Sequence, residues 1–76
     1  MIFTAEIKAS KQLDHCEVEL YLDREALDDL IHQLSFLRTQ GDHAHFFTPS
    51  WGGMPLLEQK QRDENTLVHH LRIGLV

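Results

Sequence analysis

The chain has a single cysteine, no long apolar run and few basic residues, and each shortage excludes a class of protein. Cys16 has no second thiol to pair with, which excludes a small secreted domain held together by disulfides. Because Cys16 precedes an alternating run, we predict a small, partly buried thiol at a strand end. Without a membrane span or a signal-peptide pattern, we expect a cytoplasmic protein with no membrane partner.

Basic side chains are also scarce, with seven Lys and Arg against twelve Asp and Glu and a net charge of −5. Sequence-independent binding to nucleic acid depends on neutralising phosphates, so this balance argues against a nucleic-acid partner. An acidic surface instead favours basic partners through electrostatic complementarity. The 76 residues are 42% hydrophobic and 25% charged, which predicts one globular domain, residues 1–76, with a small core.

Alternation of apolar and polar side chains marks the first half of the chain. Residues 2–9 and 17–22 alternate, which predicts two half-buried strands that pair antiparallel across a short polar connection at residues 10–15. Asp23 is a typical helix N-cap, and Gly41 is predicted to end the helix as a left-handed cap. Apolar residues at helical spacing predict the face that packs on the sheet: Leu27, Leu30, Ile31, Leu34 and Leu37.

The second half predicts another strand pair. Residues 43–48 read as a strand that Pro49 stops, residues 50–66 as a long connection without a clear period, and residues 67–76 as the last strand. The order β-β-α-β-β predicts an α+β domain in which antiparallel hairpins form one sheet with one helix on one face. The other sheet face is predicted to be open to solvent, a partner or a second copy. Its candidate residues are Thr4, Glu6, Lys8, Glu17, Glu19, Tyr21, His43, His45, Phe47, Val68, His70 and Arg72.

Two histidines share one side of the third predicted strand. His43 and His45 are two residues apart, so both point the same way, and His70 on the neighbouring strand can share that face. These three are the residues that a zinc site would use, if there is one. No Cys-pair or H-E-x-x-H spacing supports a metal, so hydrogen bonding or an interface role is the preferred interpretation. No cofactor is predicted.

The segment after Pro49 predicts a turn rather than a catalytic motif. Ser50 lacks the G-x-S-x-G frame of a nucleophile elbow, and Gly52-Gly53 is too short for a phosphate-binding loop. The glycine pair instead lets the chain turn sharply past Trp51. Trp51 is predicted to plug the end of the core, with an exposed interface anchor as the alternative. No nucleophile, base and orienting group converge, so we predict a protein that is not an enzyme.

The run from His43 to Gly53, followed by a leucine, resembles a family of bacterial immunity proteins from polymorphic toxin systems, immunity protein family 32. The positions that match its pattern are His43, His45, Trp51, Gly52 and Gly53. The resemblance implies that the chain binds a cognate toxin and neutralises it in the producing cell. Many such toxins are nucleases with basic channels, which an acidic protein can cap.

Spacing and charge leave two acidic faces as candidates for that contact. We expect the pair Glu17 and Glu19 to bind the partner, with Asp28 and Asp29 as the alternative. Two other functions stay open beside toxin binding. One is a histidine-based metal-binding domain. The other is a homo-oligomeric structural or regulatory domain, which would dimerise through the open sheet face or the last strand.

Overall fold

The computed structural model describes residues 1–8 and 16–76, and within them the predicted α+β class is confirmed. The predicted connection at residues 10–15, and Ala9 at the end of the first predicted strand, lie outside the described residues. The elements in chain order are β1 (Phe3–Ile7), β2 (Val18–Leu22), α1 (Arg24–Ser35), β3 (His43–Phe47), β4 (Thr66–Leu67) and β5 (His70–Gly74), with 3-10 turns at Phe36–Arg38 and Pro49–Trp51. No helix in this part of the chain has the length and apolarity needed to cross a membrane.

The described strands form two antiparallel sheets, where the sequence predicts one. The first sheet has the order β2-β1-β4, and the second pairs β3 with β5. The predicted last strand divides between them at residues 68–69. Val68 donates its N–H to the carbonyl of Ala5 at 2.8 Å, and the His69 carbonyl accepts the N–H of Thr48 at 3.0 Å. One extended stretch therefore leaves β1 and joins β3.

A segment of the long connection keeps the two sheets apart. Phe47 donates its N–H to the carbonyl of Met54 at 3.2 Å and accepts the N–H of Leu56 at 2.9 Å. The next residue, Leu57, donates to the carbonyl of Phe3 at 2.8 Å. Because this segment bonds β3 on one side and β1 on the other, the strands do not merge into one sheet. The irregular sequence of residues 50–66 has no period that reveals this role.

The core lies where α1, both sheets and this segment meet. Its buried apolar residues are Phe3, Ala5, Ala26, Phe46 and Leu56. The rings of Phe3 and Phe46 meet edge to face with centroids 5.7 Å apart, a favoured aromatic geometry that joins the two sheets.

Helix α1 begins as predicted, but its buried face is rotated. The Asp23 carboxylate caps the helix by accepting the N–H of Ala26 at 2.8 Å, as expected. Ala26 is buried, whereas Leu27 and Ile31 of the predicted apolar stripe are 47% and 56% exposed. The helix tightens into a 3-10 turn before Gly41, which has no positive φ, so the predicted left-handed cap there is wrong.

The sheet face predicted to be open is covered along β1. Thr4 and Glu6 are 0% exposed because the polar residues 58–65 lie over them. Glu6 accepts hydrogen bonds from this segment. An acidic residue at a strand position that the sequence predicts to face solvent therefore anchors a loop. The prediction for Cys16 is also wrong, since its thiol is exposed.

Candidate functional site

Consecutive backbone hydrogen bonds form the turn after β3. Trp51 donates its N–H to the Thr48 carbonyl at 3.0 Å, and Gly52 donates to the Pro49 carbonyl at 2.9 Å. Gly52 closes this 3-10 turn with a φ of +79°, a conformation in which glycine has no steric penalty. The N–H of Ser50 donates to the Glu58 carboxylate at 2.7 Å. Hydrogen bonding from the Ser50 side chain, and then from this N–H, lowers the pKa of Glu58. A turn therefore lies where the sequence predicts one, but only Gly52 of the glycine pair has a positive φ.

Trp51 projects from this turn and does not plug the core. It is 60% exposed, and its ring stacks on His69 with centroids 5.8 Å apart and planes 4° from parallel. His69 is itself fixed by a 2.6 Å hydrogen bond between its Nδ1 and the Thr48 hydroxyl. Leu56, not Trp51, is part of the buried core in this segment. Trp51 is therefore an exposed aromatic surface held in one orientation.

The histidines of β3 meet β5 on the outer face of the second sheet. His43, His45 and Phe47 lie opposite Gly74, Arg72 and His70, so the predicted common side is confirmed. The rings of Phe47 and His70 stack at 4.4 Å, and His45 Nδ1 lies 2.7 Å from His70 Nε2, within hydrogen-bond distance. His43 instead contacts the carboxylate of Asp42 at 2.5 Å.

This histidine arrangement gives the metal alternative no support. Within residues 1–8 and 16–76, no group of three or more His, Cys, Asp or Glu side chains is placed to hold a metal ion. His45 and His70 direct nitrogens at each other, and His43 is turned to Asp42. Partial burial lowers the pKa of His45, and His43, His70 and Arg72 lower it further. These effects favour the neutral form of the His45 imidazole, which suits hydrogen bonding.

An acidic groove runs between α1 and β3 and encloses about 720 Å³. Three carboxylates of α1 line one wall, and no described residue forms an ion pair with them: Glu25, Asp28 and Asp29. The remaining lining includes apolar side chains and two polar ones: Met1, Gln33, His45, Phe46, Met54 and Pro55. An apolar floor beside unpaired carboxylates suits a long basic side chain, whose methylenes pack while its charge meets the acids.

The structure brings some of the predicted site residues together and separates others. His45, Asp28 and Asp29 line the same groove, and Met54, three residues after Trp51, reaches it from the turn. Glu19 lies elsewhere, where its carboxylate accepts the Asn65 amide at 2.8 Å. Glu17 forms a 3.6 Å ion pair with Lys8. The two acids expected first are engaged within the chain, so the alternative face is the better candidate.

Sequence patterns did not indicate Glu25 or Met54 as part of a site. Glu25 has the ordinary appearance of a first-turn acid that favours the helix dipole. Met54 is 74% exposed, and its position over the groove depends on the turn at Gly52-Gly53. A helical wheel places Glu25 on the same flank as Asp29, which is the one signal that could have found it.

Comparisons with protein-family models, with curated proteins and with solved structures found no match. The resemblance to an immunity protein family therefore stays a prediction.

Proposed function

We propose that this chain is a toxin-neutralising immunity protein: a non-enzymatic binding module that blocks a cognate bacterial toxin in the cytoplasm of the cell that makes both. The observation that carries the proposal is Trp51, a tryptophan 60% exposed yet fixed against His69. Large aromatic side chains that are already ordered before binding are typical anchors of protein interfaces, because little conformational entropy is lost on association.

Charge supports the same proposal and indicates the chemistry of the partner. The groove beside the turn presents Glu25, Asp28 and Asp29, and no described residue forms an ion pair with them. Met1, whose ammonium pairs with Asp23 at 3.8 Å, also lines the groove. Such a surface attracts a basic partner over long range and receives a lysine or arginine side chain at short range. A toxin with a basic substrate channel has this chemistry.

The proposal is tested by co-expressing the chain with the toxin domain encoded beside its gene. We expect a stable complex after affinity purification through a tag on the toxin, and growth of cells that the toxin alone arrests. A toxin domain that remains lethal and leaves the chain in the unbound fraction would remove the proposal. The adjacent domain is the appropriate probe because immunity proteins act on the toxin encoded with them.

The first prediction concerns the anchor. We expect Trp51→Ala to weaken toxin binding by about 100-fold, since truncating an interface tryptophan commonly costs more than 2 kcal/mol. The free energy of unfolding should change by less than about 1 kcal/mol, because the side chain is mostly exposed. Leu75→Ala removes a similarly exposed apolar side chain, at 59%, and serves as the control in calorimetric titration and urea unfolding. Equal affinities for the two variants would show that Trp51 is not the anchor.

The second prediction distinguishes an effect of the groove carboxylates from an effect of the overall negative charge. Asp28→Asn with Asp29→Asn should accelerate dissociation of the complex by about tenfold, since both carboxylates face the groove. Asp63→Asn with Glu64→Gln makes the same charge change on an exposed loop, and we expect its dissociation rate to match the parent. Surface plasmon resonance at two salt concentrations measures both rates. Equal dissociation rates in the two double variants would place the contact outside the groove.

A further inference from the structure

The outer strand of the three-stranded sheet, β2, carries backbone groups that no described residue binds. Lys8 donates its N–H to the carbonyl of Glu17, and Asp23 donates to the carbonyl of Ile2, each at 2.9 Å. These bonds assign the odd-numbered residues of β2 to the hydrogen-bonded pairs with β1. Because bonded and non-bonded pairs alternate in antiparallel sheets, residues 18, 20 and 22 direct their N–H and C=O groups away from β1. Strand β2 is therefore an unpaired edge within the described chain.

Exposed apolar side chains flank this edge. Val18 and Leu20 share the helix side of the sheet with the core residue Ala5 and are 58% and 40% exposed. Leu27 and Ile31 lie on the flank of α1 opposite the groove, because a helix turns 100° per residue and Glu25, Asp29 and Gln33 face the groove. The groove and β3 lie on the far side of β1 from β2. The flank of α1 that carries Leu27 and Ile31 therefore faces β2. We call Val18, Leu20, Leu27 and Ile31 the edge patch.

We infer that the edge patch binds a second copy of this chain, with β2 pairing antiparallel to its own copy about a two-fold axis at Leu20. In this register Leu20 lies opposite Leu20, Val18 opposite Leu22, and Glu19 opposite Tyr21. The outward-facing groups of residues 18, 20 and 22 then form the hydrogen bonds of the new pair. In this register β2 is complementary to its own copy, and a two-fold interface requires such self-complementarity.

Charge selects this register over its neighbours. A shift that pairs Val18 with Leu20 places Glu19 opposite Glu19, and a shift that pairs Leu20 with Leu22 places Glu19 opposite Asp23. Like charges directly opposite one another destabilise a strand pair, so both shifts are disfavoured. Centring on Leu20 avoids an acid opposite an acid within β2.

The ends of the strand are compatible with the same pairing. There Glu17 lies opposite Asp23, but each charge already has a partner. Glu17 is 3.6 Å from the Lys8 ammonium and Asp23 is 3.8 Å from the N-terminal ammonium of Met1, whereas no described residue forms an ion pair with Glu19. A two-fold axis perpendicular to the sheet puts both α1 helices on the same side, with their Leu27 and Ile31 flanks facing each other. The groove lies on the opposite flank, so dimer formation and partner binding do not compete.

The test is the oligomeric state of the purified chain between about 1 µM and about 1 mM by sedimentation velocity. We expect a concentration-dependent dimer. Leu20→Lys puts two like charges at the axis and should raise the dissociation constant by at least about 100-fold, and Ile31→Lys by about tenfold. Leu75→Lys, at a similarly exposed position just after β5, is the matched control and should leave the constant unchanged. Circular dichroism monitors folding, and Ile31→Lys decides the question if Leu20→Lys does not fold.

Three outcomes would overturn the inference. A chain that is monomeric at every concentration has no such interface. A dimer that Leu75→Lys disrupts, and that Leu20→Lys and Ile31→Lys leave intact, assembles through the last strand instead. A monomer whose toxin binding is lost in Leu20→Lys uses the edge of β2 for its partner rather than for a second copy.

Discussion

Replacing Gly53 with alanine should lower the free energy of unfolding by about 3 kcal/mol, because the added methyl group has no space. A Cβ at this position would lie 2.5 Å from Cβ of Phe47 and 3.0 Å from its Cγ and Cδ2. Phe47 cannot retreat easily, since its ring stacks on His70 at 4.4 Å. The turn must therefore move away from β3, and we expect toxin binding to weaken with it. Urea unfolding followed by Trp51 fluorescence measures the stability change.

The neighbouring glycine supplies a matched control for this effect. Gly52 has a φ of +79°, but a Cβ there would have no atom within 4 Å. Gly52→Ala should therefore cost about 1 kcal/mol, from backbone strain alone. A larger loss for Gly52→Ala than for Gly53→Ala would contradict the close packing of Gly53 on Phe47.

Features that depend on local sequence could be predicted. The Asp23 cap follows from one side chain and the start of one helix, and the common side of His43 and His45 follows from the two-residue period of a strand. The α+β class follows from the order of such elements. Each of these inferences uses a pattern whose members lie within a few residues of each other.

Features that depend on contacts between distant segments could not be predicted from the sequence. Trp51 is exposed and Leu56 is buried, although no local sequence pattern distinguishes the two as core candidates. The division into two sheets depends on a segment without a period. The groove is lined by Met54 and by the flank of α1, which are more than twenty positions apart in the sequence. Patterns of charge and hydrophobicity indicate which residues are unusual but do not determine which of them come together.

Glu6 is the clearest case of a contact that local sequence cannot predict. The alternating pattern around it is the same whether water or another segment covers that face of the strand. Its carboxylate accepts four hydrogen bonds from 2.7 to 3.3 Å long: from the Thr4 hydroxyl, the N–H groups of Gln61 and Arg62, and the Asn65 amide. We expect Glu6→Ala to lower the free energy of unfolding by about 3 kcal/mol, because these buried donors lose a charged acceptor together. Glu6→Gln should cost about 2 kcal/mol, since its amide N–H₂ group faces other donors.

The pH dependence of stability provides the sharper test of this carboxylate. Burial by itself raises the pKa of Glu6, but the hydrogen bonds from Gln61, Thr4, Asn65 and Arg62 outweigh it, so the pKa lies below its ordinary value of 4.5. A lowered folded-state pKa means that Glu6 contributes stability above pH 4.5, and that this contribution is lost as the pH falls through the folded value. Glu6→Gln lacks this component, so its stability should fall less steeply on acidification than that of the parent.

Comparison of two variants isolates the contribution of Glu6 from that of other acids. Asp23 and Glu58 also have lowered pKa values and make the parent acid-sensitive, so the measured quantity is the difference between the curves. Leu75→Ala changes no titratable group and should keep the slope of the parent between about pH 7 and pH 3. If Glu6→Gln instead follows the parent curve as closely as Leu75→Ala does, the loop over β1 is not held by a buried carboxylate. The face that the sequence predicts to be open would then be covered for another reason.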